Sequence, residues 1–236
     1  MNKELIQITQ KLKNETGKLT FNDPVAYVYN PLEYAFAPLE KYIKKYASKN
    51  STLLVGMNPG PFGMAQTGVP FGDIKMVSDF LQITGNVKKP EKEHPKRQIE
   101  GFNCKRSEVS GTRLWGFVQS EFGTPDKFFN KFFVVNYCPL IFMTDSGRNI
   151  TPDKLPISEQ KVLFDICDEA LLKTVESMES TTVVGIGGFA EKACIRSLKN
   201  RDVQIKRILH PSPASPAANR GWAEQAKKQL KEFNLI

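Results

Sequence analysis

The chain has 236 residues, 40% of them hydrophobic, and carries a formal net charge of +8. This length allows one domain with a substantial core, and no run approaches the roughly 18 apolar residues of a membrane span. The amphipathic, charged start MNKELIQITQKLKN is unlike a secretion signal, so we expect no membrane contact and an unsecreted protein, cytoplasmic in a bacterium or nuclear in a eukaryote.

Strand-like and helix-like segments alternate along the chain. Near-continuous apolar runs predict four strands, and apolar stripes at helical spacing predict helices between them. The strands are expected at 52–56, 132–137, 181–187 and 205–209, the last nearer an edge. Helices are expected at the N-terminus and at 38–46, 74–84, 111–122, 158–178, 189–198 and 222–233, with Ser158 as an N-cap and Asp73 capping the helix after it. This order predicts one α/β domain, 1–236, with a parallel central sheet and an N-terminal helical extension over 1–23.

Three polar side chains follow or end the predicted strands. Asn58 lies just beyond the first strand, Asn136 lies near the end of the second, and His210 follows the last. In open α/β sheets ligands bind beyond the carboxyl ends of the strands. We therefore expect these three residues at one rim of the sheet.

Amide and imidazole groups suit only some reactions. Asparagine is a poor base, but it can hold a water or the edge of a planar ligand. Histidine can stabilise charge on a leaving oxygen in the transition state. Such a site fits hydrolysis in which the leaving group departs as a stabilised anion. Spacing alone equally allows His210 to be a buried histidine satisfied by the backbone.

Other motifs and residue types argue against several site classes. Residues 185–190 (GIGGFA) match the dinucleotide fingerprint, but the strand at 205–209 lacks the acidic residue that it requires. Ser212 follows His210 by two residues, with no acid to orient such a pair. No cysteine pair has metal-site spacing, so buried thiols and no metal are expected. The cysteines are Cys104, Cys138, Cys167 and Cys194.

Basic residues cluster at 88–97, 104–106 and 199–207. These clusters favour a polyanion such as nucleic acid, although composition alone allows a solvated basic surface equally well.

Two segments carry a family resemblance. Residues 56–72 (GMNPGPFGMAQTGVPFG) and 210–222 (HPSPASPAANRGW) closely resemble the two signature motifs of the single-strand-selective monofunctional uracil-DNA glycosylases. The likeness extends over roughly 24–230, through HPKR (94–97), SEVSG (107–111), NYCPL (136–140) and SGRNITP (146–152). It implies a three-layer α/β/α sandwich with a central, mainly parallel four-stranded sheet. It also implies base excision from DNA without a cofactor, by a monomer.

The resemblance assigns roles to individual residues. It implies that Asn58 positions the attacking water and that His210 stabilises the departing uracil O2. Phe71 would stack on the flipped base, although without the resemblance core packing would explain a phenylalanine at this position. Asn136 would bind the Watson–Crick edge of the base, and the backbone at Met57 would close the pocket.

Gly60 occupies a position at which related uracil glycosylases carry a bulky tyrosine. The glycine is expected to leave room for 5-substituted bases, so hydroxymethyluracil and formyluracil are implied as substrates besides uracil. Xanthine is a further possibility, because some bacterial relatives process it.

The second signature motif is expected to wedge into the duplex, where extracting a base costs a few kcal/mol. Many family members carry arginine and then asparagine after His-Pro-Ser-Pro, and this chain has Ala214 and Ser215 instead. The resemblance therefore does not predict how strongly the chain binds duplex DNA or which strand form it prefers. Arg148 and Asn149 are expected to contact the DNA backbone. The loop residues expected to contact DNA are Pro211, Ser212, Pro213, Ala214, Ser215 and Arg220. A non-catalytic reader of damaged or single-stranded DNA is the alternative, and a nicotinamide-dependent enzyme a more distant one.

Overall fold

A parallel four-stranded sheet forms the centre of the protein in the computed structural model, which describes residues 1–236. Its strands are β2 (Thr52–Gly56), β3 (Phe132–Asn136), β6 (Thr182–Ile186) and β7 (Gln204–Ile208). They run in the order β3-β2-β6-β7, and every neighbouring pair is parallel. The predicted sheet is confirmed, and β7 is an edge strand as the sequence suggested.

Helices flank this sheet, as the sequence predicted. They are α1 (Asn2–Thr16), α2 (Pro31–Tyr34), α3 (Phe36–Tyr46), α4 (Met64–Thr67), α5 (Val109–Phe122), α6 (Pro125–Phe129), α7 (Ile157–Met178), α8 (Gly188–Ser197) and α9 (Trp222–Glu232). α1 packs on α7 and α7 on α8, whereas α5 packs on α6 and α9. The fold is thus an α/β sandwich. No helix is long and apolar enough to cross a membrane.

A second, small sheet was not predicted. It contains β1 (Tyr27–Tyr29), β4 (Ile141–Met143) and β5 (Asn149–Ile150), paired antiparallel in the order β1-β4-β5. Strands of two or three residues are too short to show the alternation by which strands are identified in a sequence.

Two local predictions are wrong. The helix expected at 74–84 begins at residue 74 as predicted but ends in a π-helical turn at Met76–Phe80, because Gln82 has a φ of +52° and ends the helical geometry. Asp73 does cap this turn, accepting the Met76 N–H at 3.3 Å. Ser158 does not cap α7, which begins one residue earlier after Pro156 and has no side-chain cap. The four cysteines are buried and unpaired.

Helix α5 approaches the loop after β2 very closely. A Cβ at Gly111 would overlap the Phe71 carbonyl oxygen and lie 2.9 Å from the Asp73 nitrogen. The fully buried Trp115 donates its indole N–H to the same Phe71 oxygen at 3.1 Å. The backbone of the loop is therefore held directly against the helix, which requires glycine at this position.

We expect Gly111→Ala to destabilise the protein by about 1–3 kcal/mol, because the added methyl group overpacks this contact. Gly116→Ala is the matched control in the same helix, since a Cβ there meets no atom within 4 Å. In that control the free energy of unfolding should rise by about 0.5–1 kcal/mol, because alanine lowers the backbone entropy of the unfolded chain. Urea unfolding measures both, and equal effects would contradict the close approach.

Candidate active site

The six residues expected to act on a base lie in one cleft at the carboxyl rim of the sheet. They are Met57, Asn58, Gly60, Phe71, Asn136 and His210. The parallel register places the end of β2 beside the end of β3, with Gly56 opposite Asn136. The loop after β7 brings His210 to the same rim. Three of the residues expected to contact DNA, Asn149, Ser212 and Pro213, also line this cleft.

Asn58 is oriented by a single hydrogen bond. Its side-chain Nδ2 donates to the Leu140 carbonyl at 3.1 Å, which places the amide oxygen on the other side of the group. No protein donor bonds to that oxygen. An amide oxygen accepts two hydrogen bonds, so Asn58 is able to accept from a water molecule in the cleft.

Asn136 and Phe71 pack together over Gly56. A Cβ at Gly56 would overlap Asn136 Oδ1 and lie 2.6 Å from Phe71 Cε2. Asn136 Nδ2 is 3.2 Å from the Met64 sulfur, a weak acceptor. The amide therefore remains available to a stronger acceptor and donor on a planar ligand.

Phe71 has a strained backbone, with a φ of +53°. A bulky residue in this region costs of order 1–3 kcal/mol and persists only where its surroundings fix it. Here the Phe71 carbonyl accepts both the Trp115 indole N–H and the Asp73 N–H, the latter at 2.8 Å. The ring consequently faces the cleft, with its centroid 6.1 Å from that of His210.

His210 is a half-buried, neutral imidazole. Its Nδ1 accepts the Ser212 backbone N–H at 3.0 Å, so this nitrogen carries no proton. Burial lowers the pKa of His210 to about 4. The proton is then on Nε2, which no protein acceptor binds. The structure thus agrees with both interpretations of His210, since the backbone satisfies Nδ1 and the N–H at Nε2 is free to donate.

Glu108 is a cleft residue that the sequence analysis missed. Its carboxylate fills the space beside Gly60, where a Cβ would lie 2.7 Å from Glu108 Cδ. Burial raises the pKa of Glu108, opposed by backbone N–H groups of Phe62 and Ser110. The space expected to be open beside Gly60 is therefore occupied by this carboxyl group. The segment 107–111 had pointed to this region, but without singling out the glutamate.

The loop after His210 is stiffened by internal hydrogen bonds. Ser212 Oγ accepts the Ala214 N–H, and Ser215 Oγ accepts the Ala218 N–H. Arg113 of α5, a second missed residue, donates to the Pro211 carbonyl at 3.0 Å and to the Asn219 side chain at 2.9 Å. The loop tip at Ala214 and the distal Arg220 are exposed.

Arg148 lies in the turn before β5, and Asn149 is the first residue of that strand. Arg148 is exposed and its backbone N–H donates to Thr144 Oγ1, which closes the turn. Asn149 is exposed at the mouth of the cleft. The structure therefore places Asn149 at the cleft, with Arg148 next to it in the chain.

The glycines of the dinucleotide-like segment have a packing role. A Cβ at Gly185 would lie 2.7 Å from the Glu191 Cα, so this glycine allows α8 to pack on β6. No group of three histidine, cysteine or acidic side chains is placed to hold a metal ion.

Comparison with known proteins gives a consistent result. The family model described as the uracil DNA glycosylase superfamily matches residues 43–234. The single-strand selective monofunctional uracil-DNA glycosylase of Rattus norvegicus is 46% identical over 229 residues, which cover 96% of this chain and 82% of the relative. The protein of that name from Bos taurus is 46% identical over 234 residues, covering 98% and 86%.

A solved structure supports the fold. The crystal structure of wild-type SMUG2 from Pedobacter heparinus matches with a TM-score of 0.68 and 20% identity, covering 96% of this chain and 97% of that one.

We expect the imidazole of His210 to titrate near pH 4 and to be the Nε2–H tautomer at pH 7, because burial disfavours its charged form. Nitrogen-15 NMR of the ring checks this, with His210→Gln identifying the signal. The unfolded state binds the proton more readily, so the contribution of this group to stability falls as pH drops from about 6.5 towards 4. A midpoint near 6.5 in the folded protein would contradict the burial argument.

Proposed function

The chain belongs to the single-strand-selective monofunctional uracil-DNA glycosylases, within the uracil-DNA glycosylase superfamily, and we propose that it hydrolyses the N-glycosidic bond of uracil and 5-substituted uracils in DNA. One observation carries the residue-level proposal. Asn58, Asn136 and His210 converge in one cleft, each with a polar atom that the protein leaves free or only weakly bonded.

Asn58 positions the attacking water. Its Nδ2 is bonded to the Leu140 carbonyl, so its Oδ1 accepts from the water and directs it toward C1′ of the sugar. An amide is a poor base. The water attacks a centre with oxocarbenium character and therefore needs orientation more than deprotonation.

His210 stabilises the departing base. Negative charge develops on uracil O2 as the glycosidic bond breaks, and the neutral Nε2–H donates to it. The donor is held by the Ser212 N–H before reaction, so little reorganisation is needed in the transition state.

Phe71 and Asn136 bind the extruded base. The Phe71 ring provides the stacking face, and the Asn136 amide pairs with the Watson–Crick edge over Gly56. Backbone at Met57 closes the pocket. No lysine lines the cleft, which fits hydrolysis by water and an intact abasic product rather than a Schiff base.

The wall beside Gly60 admits polar 5-substituents. It is formed by the Glu108 carboxyl group in place of a bulky ring. A 5-hydroxymethyl group can donate to this carboxyl group, and a 5-formyl oxygen can accept from its protonated form, which burial favours. We therefore extend the substrate range to hydroxymethyluracil and formyluracil. Xanthine is a further candidate, because Asn136 can both donate and accept.

We propose that both single-stranded and duplex DNA are substrates. The loop from Pro211 to Arg220 is stiff enough to act as a wedge, because Arg113 ties it to α5. Its exposed tip is the small Ala214, which fills less of the gap left by an extruded base than an arginine would. We expect slower release from duplexes than from single strands.

The deciding experiment is uracil release from matched single-stranded and duplex oligonucleotides with one uracil each. Strand breaks should appear only after alkali, because the product is an intact abasic site. His210→Ala should lower the single-turnover rate by about 10² or more, the scale for loss of one oxyanion donor, while DNA affinity is retained.

Lys231→Gln is the control, because Lys231 is exposed on α9 and lies outside the cleft. An unchanged single-turnover rate in His210→Ala would remove His210 from the mechanism. Breaks formed before alkali would exclude a monofunctional enzyme.

We expect Gly60→Tyr to lower release of hydroxymethyluracil more than release of uracil, because the ring would close the wall where the 5-substituent lies. Gly60→Ala is the control, since its Cβ alone already displaces the Glu108 carboxyl group without adding a ring. Both rates are measured under single-turnover conditions. Equal losses for the two bases in Gly60→Tyr would contradict the steric argument.

A further inference from the structure

A basic groove lies next to the cleft and is not part of it. We call it the Phe62 groove, and its walls include Phe62, Lys96, Gln98, Glu100, Lys105 and Arg106. Lys96, Lys105 and Arg106 are exposed, and none of them forms a salt bridge, although the protein contains eleven such pairs elsewhere. One carboxylate, Glu100, faces these cations. The groove therefore has uncompensated positive charge.

Two guanidinium groups are held against the Phe62 ring. The Arg106 guanidinium carbon is 3.9 Å from the ring centroid, and that of Arg97 is 5.3 Å from it. Arg97 Nε also donates to the Gly147 carbonyl at 3.1 Å. The Arg106 guanidinium has no hydrogen-bond acceptor in the protein. Contact with the ring thus holds the Arg106 guanidinium in place and leaves its N–H groups free, an arrangement suited to a phosphate.

Buried side chains fix the segment that supplies Lys96 and Arg97. His94 is 2% exposed, its Nε2 bonds to the Asp145 carbonyl at 2.8 Å, and its Nδ1 accepts the Lys96 N–H at 3.0 Å. Tyr29 accepts the His94 N–H and donates to the Arg97 carbonyl at 2.9 Å. The backbone that carries these cations is consequently rigid before any ligand binds.

Residues that are close in the chain line the groove and the cleft. Pro61 lines the cleft and the next residue, Phe62, lines the groove. Arg106 lines the groove and Glu108 lines the cleft, two residues later. Two residues span at most ~7 Å, which a DNA strand covers in at most about two nucleotides, since each strand advances ~3.4 Å per nucleotide along the duplex axis and more when it is extended. A strand whose nucleotide enters the cleft can therefore reach the groove within a few phosphates.

We propose that the Phe62 groove is a phosphate-binding subsite that holds the backbone of the target DNA strand a few nucleotides from the extruded base, with Arg106 as its main ligand. The identity of the polyanion as DNA rests on the proposed function. This contact is independent of base pairing, because it requires one strand only. It adds affinity for single strands that the loop after His210, with the small Ala214 at its tip, does not provide.

The proposal is tested by measuring affinity for an undamaged single strand by fluorescence anisotropy at several salt concentrations. The strand has about 16 nucleotides, near the upper site size of single-strand-binding folds. Arg106→Gln should weaken binding about three- to fivefold at low salt, the upper range for an exposed ion pair. It should also reduce the slope of log affinity against log salt by about 0.7, the value for one phosphate contact on a single strand. Phe62→Leu should have the same direction of effect, because it releases the stacked guanidinium groups.

Lys231→Gln is the charge-matched control, since Lys231 is exposed on α9, forms no salt bridge and lies far from the groove in sequence. The same substitutions are then assayed for uracil release from the long strand and from a uracil trinucleotide. The ratio of kcat/KM for the long strand to that for the trinucleotide should fall in Arg106→Gln and stay constant in Lys231→Gln.

A salt slope equal in Arg106→Gln and Lys231→Gln would overturn the proposal, as would an unchanged ratio of the two substrates. Absence of uracil release from both substrates by the unaltered protein would instead refute the proposed function. The affinity measurement on undamaged DNA would still decide the role of the groove in that case.

Discussion

The absence of a side chain at Gly56 is the constraint on which the cleft depends. Because no Cβ stands between them, the Asn136 amide and the Phe71 ring pack directly over the end of β2. Phe71 can hold its strained backbone there only because α5 presses against its carbonyl through Gly111 and Trp115. The base-binding surface is thus a product of close backbone approach between a strand end, a loop and a helix, which no single side chain could replace.

The unpaired cationic residues of this protein lie outside the cleft that holds the residues proposed to react. The chain is strongly basic, yet the cleft contains a neutral imidazole and a carboxyl group whose pKa is raised by burial. The unpaired cations lie outside, at Arg106 and its neighbours. A polyanionic strand is attracted to the outer surface, while a neutral planar base enters a cleft that no lysine or arginine lines. A cationic cleft would hold phosphate, which would compete with the base for the same space.

The sequence predicted the central sheet and the rim residues well, because buried parallel strands produce near-continuous apolar runs and their carboxyl ends share one edge. It could not predict contacts between distant segments. Glu108 reaches the cleft by packing against Gly60, far from it in the chain, and Arg113 reaches the loop after His210 in the same way. The sequence could not predict local backbone geometry either. The positive φ of Gln82 ends a helix that the apolar pattern extended to residue 84.

Gln66 connects the cleft to the Phe62 groove mechanically. It is fully buried, its Nε2 donates to the carbonyls of Pro61 and Gln98, and its Oε1 accepts the N–H groups of Glu100 and Gly101. All four hydrogen bonds of the side-chain amide are used, so any movement of the loop leaves buried polar groups unpaired at a cost of about 1–3 kcal/mol each. The loop that forms the base pocket therefore keeps a fixed relation to the segment that bounds the groove. A strand seated in the groove would place a nucleotide a few positions along at the cleft by geometry alone, without a conformational change in the protein.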